Sequence, residues 1–287
     1  MNVRNGFTIV ELLVVVTIMV ILLALLAPAM DKAVYQAELA VCASQLDVIS
    51  TGLIQYGLSN RKSYPDRPSR TANGANRPCD IYWGSNNPLS GKDDRKLLRT
   101  LFDLNKTLND PLLKAVDIDG SEDTTTIVIP RALYYGFGYD KNGLSEKIMR
   151  KLGDRWTWTE AGDGSAPPVV NRMSVLASDW DFINENQSGD SWNQSSHPDA
   201  DGLLEEFTIQ DDIFLTPVPK KTTLAVWRGA KRGLIDTNYA YDDGSVRRFS
   251  GVAWDEAGSY DTRHRLVRLP HNDANNGATA KIRVPAQ

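Results

Sequence analysis

Glu11 is the one charged side chain in the apolar run FTIVELLVVVTIMVILLALLA, residues 7–27. A carboxylate in such a segment costs on the order of 2.5–3.5 kcal/mol at mid-bilayer and less near the interface. It is therefore expected to have a partner and to mark a function. The junction in front of the run is Gly6-Phe7, preceded by the short polar leader MNVRNG with Arg4 as its charged side chain. A secretory signal is cut behind its apolar core at small residues. Residues 24–29, ALLAPA, offer a poor site of that kind because proline intervenes. The plausible cut thus precedes the run, between Gly6 and Phe7, and leaves the helix on the mature chain.

Three further sets of residues could do chemistry. Cys42 and Cys79, the two cysteines, enclose a gap of 36 residues, and spacing alone leaves a disulfide and two free thiols equally open. Oxygen-rich turns occur at Asp117-Ile118-Asp119-Gly120, Asp140-Lys141-Asn142-Gly143 and Asp199-Ala200-Asp201-Gly202 with Glu205. None has the full ligand spacing of a calcium loop. Asp199, Asp201 and Glu205 form the best calcium candidate, the other two read as plain turns, and no cofactor is expected. The acidic pairs Asp179/Asp181 and Asp211/Asp212 read as solvated or turn-forming aspartates. HExxH, GxSxG and Walker sequences are absent and only His197, His264 and His271 are present, so the chain reads as no enzyme. Trp156, Trp158, Trp180 and Trp192 read as core or contact residues rather than a carbohydrate surface.

Residues 6–15, GFTIVELLVV, closely resemble the cleavage and methylation signature of type IV pilins and type II secretion pseudopilins. The resemblance implies cleavage and N-methylation by a prepilin peptidase/N-methyltransferase at Gly6 and Phe7. It also implies that Glu11 pairs with the freed amine of Phe7 on a neighbouring subunit. The implied partners are other pilin or pseudopilin subunits and the inner membrane. The implied topology has a cytoplasmic amino terminus and an extracytoplasmic head that ends in a filament or pseudopilus. The helix after the anchor and the late segment Asn238-Tyr239-Ala240-Tyr241-Asp242-Asp243-Gly244-Ser245-Val246 resemble a prepilin-like family marked by histidine, nine residues and Asp-Gly. Here Gly233 stands where that histidine is expected, and His197-Pro198 is a displaced candidate. The reading is a structural subunit of a filament. Its alternative is a membrane-tethered extracytoplasmic binding protein or polysaccharide-active enzyme that uses the same anchor.

The elements that must position these residues follow from periodicity. Twenty-one residues at 1.5 Å each cover about 30 Å, the thickness of a bilayer's hydrocarbon. Beyond Pro28 an apolar stripe recurs every three or four residues: Leu39, Cys42, Ala43, Leu46, Ile49, Leu53 and Tyr56. The helix is therefore expected to continue as an amphipathic one, bent or loosened at Pro28. The boundaries are leader 1–6, assembly helix 7–27, amphipathic helix 28–58 and head 59–287.

The head is expected as α+β, the long helix packed on an antiparallel sheet with long loop insertions. Strands are predicted at 124–130, 132–139, 174–178 and 222–227, with an edge strand at 265–269. Asp243-Gly244 turns a hairpin, and helices are predicted at 93–104 and 144–152. The formal charge is −4. Residues 220–287 hold twelve Lys/Arg against seven Asp/Glu, a local +5, so the rest carries −9. With no recognition motif beside that charge, nucleic acid is not expected as a partner.

Overall fold

The computed structural model describes residues 8–67, 80–83, 92–112, 117–119, 126–135, 149–160, 169–185, 191–195, 197, 208–209, 220–222, 225–228, 234–252, 264–269 and 279–285. The chain divides into two compact units, residues 1–40 and 41–287.

One helix, α1 (Ile9–Ser59), continues through Pro28. In its first part every side chain is exposed, Leu12, Leu13, Ile21 and Leu25 among them. It is long and apolar enough to cross a membrane. From Leu39 onward the burial turns one-sided. Leu39, Cys42, Leu46, Ile49 and Leu53 are buried while Val41, Asp47 and Val48 stay exposed. The expected stripe is thus the buried one. Asn60 Nδ2 donates back to the Tyr56 carbonyl (2.8 Å), and the amide of Lys62 reaches that of Gly57 (2.8 Å). These bonds satisfy carbonyls that the last helical turn leaves open. Arg61 and Lys62 then adopt left-handed backbone, φ 55° and 65°.

The core of the second unit lies under a four-stranded antiparallel sheet in which Val246–Val252, Leu234–Tyr241, Val175–Asp179 and Arg131–Leu133 are neighbours in that order. Leu46, Ile49 and Leu53 of α1 share this core with Leu133, Tyr134, Val175, Leu176, Trp180 and Tyr239. Tyr239 meets Phe249 edge-on across the hairpin, centroids 5.5 Å apart. The hairpin turns at Gly244, φ +81°, as its Asp-Gly pair requires.

Among the described residues the expected single sheet is accompanied by three more. A six-stranded sheet runs Thr208–Ile209, Ala225–Arg228, Ser191–Ser195, Asp181–Glu185, Thr279–Pro285, His264–Leu269, the last at its edge as predicted. A second four-stranded sheet contains the parallel pair Lys220–Thr222 and Thr126–Val128. Trp156–Glu160 pairs with Val169–Met173. The helix expected over 93–104 is broken into α2 (Arg95–Leu98) and α3 (Leu104–Leu108). Asp103 causes the break: its extended backbone stops the first turn, and its side chain accepts from the Lys106 amide to cap the second. Of the helix expected at 144–152, the described residues 149–152 are not helical. Lys151 instead bridges Ser63, with Tyr64 donating to the Arg150 carbonyl and Leu152 to that of Lys62, each at 2.8 Å.

Candidate assembly helix and a buried ionic cluster

Thr8 and Glu11 form a reciprocal pair at the start of α1. The Thr8 amide and hydroxyl each donate to Glu11 Oε2 at 2.8 Å, and the Glu11 amide donates to Thr8 Oγ1 at 3.2 Å. This is a capping box, which answers two amides that no helical carbonyl can reach. Glu11 therefore already has an intrachain partner through one oxygen. Thr17, the other polar residue of the run, donates its hydroxyl to the Val14 carbonyl (2.8 Å) and hides its polarity inside the helix. Gly6 and Phe7 lie outside the described residues.

A family model described as the prokaryotic N-terminal methylation motif matches residues 1–27. The chain carries a prepilin-type signal. No curated protein and no solved structure matches the chain. The matched segment is the prepilin signal of type IV pilins and pseudopilins, and the apolar helix that follows the leader fits it.

The second feature lies inside the head and was not foreseen. Arg131, fully buried on its strand, donates from Nη1 to Asp110 Oδ2 and to Asp179 Oδ1, both at 2.7 Å. Its Nη2 donates to Gln45 Oε1 of α1 at 2.5 Å and to the Asn109 carbonyl at 3.3 Å. His197, also fully buried, places Nδ1 2.8 Å from the Asp236 carbonyl and 3.4 Å from Asp179 Oδ2. Its Nε2 lies 3.0 Å from Asp110 Oδ2 and 3.3 Å from Cys42 Sγ. Asp179 Oδ2 further accepts from the amide and the side chain of Asn238, at 2.8 and 2.7 Å.

Burial opposes the charges of Asp110, Arg131 and His197, and opposite charges prevail. Desolvation would raise the Asp110 carboxyl, but Arg131 and His197 hold it well below the usual range. Desolvation would lower the His197 imidazole, but Asp179 and Asp110 lift it well above its ordinary value. Burial pushes the Cys42 thiol up, outweighing His197 and Arg131. Two carboxylates thus face a guanidinium and an imidazolium, beside a neutral thiol.

Cys42 is a free, buried thiol, and Cys79 lies outside the described residues. Asp199, Asp201 and Glu205 also lie outside them. Asp179, expected as a solvated or turn-forming residue, is instead a fully buried ion-pair partner. Asp117 and Asp119 behave as turn residues: Asn105 donates to Asp117 Oδ1 (3.0 Å), and Arg99 pairs with Asp119. Trp180 is a core residue, 1% exposed.

Proposed function

We propose that this chain is a structural subunit, a pilin or pseudopilin, of a type IV filament or a type II secretion-like pseudopilus. The observation that carries the reading is a helix exposed on all sides through its apolar length, with a carboxylate in its first turn, behind a prepilin-type signal. In this reading a prepilin peptidase cuts between Gly6 and Phe7 and methylates the new amine. The helix holds the subunit in the inner membrane, amino terminus cytoplasmic and head outside, until it is added to the filament.

The chemistry of assembly follows from charge. Cutting after Gly6 leaves a cationic amine two residues before α1 begins, next to the positive end of the helix dipole. In a water-poor seam between helices that cation needs a carboxylate. Glu11 of an adjacent subunit supplies one, since Thr8 occupies Oε2 while Oε1 accepts no bond among the described residues. Both charges lose hydration only when they face each other, so helices pack in the one register that pairs them.

Glu11→Leu tests this reading, with intact mass read on the same sample. The variant should insert in membranes as well as the parent, start at Phe7 with a methylated amine, and fail to enter filaments. Normal incorporation of Glu11→Leu, or a mature chain that starts elsewhere than Phe7, would overturn it. A tethered binding protein or enzyme would keep its activity in the variant.

A further inference from the structure

We propose that Cys42, Asp110 and His197 form the ligand face of a buried transition-metal site, that Asp179 is its fourth donor, and that the ion is Zn2+.

The donor set selects the metal class. A thiol, an imidazole and carboxylates together suit zinc and its neighbours, whereas calcium and magnesium take oxygen alone. Spacing agrees. Bonds of about 2.0–2.3 Å in a tetrahedron place donors about 3.3–3.8 Å apart. His197 Nε2 is 3.3 Å from Cys42 Sγ and 3.0 Å from Asp110 Oδ2, and one ligand atom from each of the four residues lies within 4.8 Å of the others. Two edges of a Cys-His-Asp face are therefore near the spacing of a metal's donors, and Asp179, whose Oδ2 is 3.4 Å from Nδ1, must shift to become the fourth.

The histidine supplies an independent sign. Its Nδ1 sits 2.8 Å from the Asp236 carbonyl, which can only accept, so Nδ1 carries a hydrogen and Nε2 is the nitrogen turned toward the thiol and the carboxylate. Metal-binding histidines are held in this way, by a hydrogen bond from the nitrogen that does not ligate. Asp179 is held likewise by Asn238, and Arg131 can keep its bonds to both carboxylates, because each oxygen has a second lone pair.

A metal ligates the thiolate and the unprotonated ring nitrogen, so any protons on Cys42 Sγ and His197 Nε2 leave to water as the ion enters, and the thiolate and carboxylates face its charge. All four donors are buried, so the ion enters as the head folds.

Co2+ is the probe. The full chain in detergent is unfolded, stripped with chelator, refolded with Co2+ and desalted. One cobalt per chain is expected, with a near-ultraviolet thiolate-to-cobalt charge-transfer band that excess Zn2+ removes. Cys79→Ser should keep the band and Cys42→Ser should lose it. The chain has two cysteines, so a band in Cys79→Ser assigns the thiolate to Cys42 even where Cys42→Ser does not fold. Refolded Cys79→Ser with native circular dichroism, no band and no stoichiometric cobalt would overturn the proposal and leave the cluster a metal-free ion network.

Discussion

Replacing Arg131 by methionine should cost the head about 4 kcal/mol. Two independent routes give that size. Removing one partner of a buried ion pair costs about 3–5 kcal/mol because the remaining charge is stranded. Here Asp110 and Asp179 would both lose a 2.7 Å partner while His197 could balance only one of them. The second route is an upper bound. A stranded aspartate can take up a proton instead, and from an ordinary value of 3.8 that costs about 4.4 kcal/mol at pH 7. Equilibrium urea unfolding in detergent, followed by tryptophan emission with buried Trp180 beside the cluster, reads the loss. At a slope of about 2 kcal/mol/M the midpoint should fall by about 2 M. Arg131→Met/Asp179→Asn restores neutrality, with Asp110 facing His197, and its amide oxygen can still accept from Asn238. It should regain about half of the loss. A shift below about 0.5 M, or a double variant weaker than the single one, would refute the charge-balance account.

Gly244→Ala tests the turn on its own: φ is +81° and no atom lies within 4 Å of the added methyl, so only backbone strain changes. The loss should be about 1–2 kcal/mol, smaller for Gly244→Asn, read by the same urea midpoints. Tyr64 and Tyr135 are buried, their hydroxyls have no partner among the described residues, and burial pushes both phenols above their ordinary value of 10. Their folded values exceed the unfolded ones, so their contribution to stability is complete below pH 10 and is lost as pH rises beyond it. Tyrosinate absorbance should show these two lagging until the head unfolds, and a single transition of all tyrosines in the folded protein would contradict it.

Features that depend on near neighbours were legible in the sequence. The apolar run, the stripe beyond Pro28 and the Asp-Gly hairpin each follow from residues a few positions apart. Thr8-Ile9-Val10-Glu11 is likewise the spacing of a capping box, a local signal that the unusual charge of Glu11 overshadowed. The break at Asp103 was readable too, as a capping residue inside an expected helix. The cluster was not. Asp179 looks the same in sequence as a turn aspartate, and only its burial beside Arg131 distinguishes it. Gly233 in the late motif left no histidine in place. Yet His197, far upstream, is bonded to Asp236 on the strand that leads into Asp243-Gly244.

His197 and Cys42 are 155 positions apart, and Gln45 and Arg131 are 86 apart. Such non-local pairings slow folding more than they destabilise the folded state. The cluster is therefore expected to form late, after local elements such as the hairpin and the helix. Cys42 and Gln45 of the cluster stand on the same helix as core residues Leu46, Ile49 and Leu53, so ion pairing in the cluster and burial of the α1 stripe are expected to be lost together.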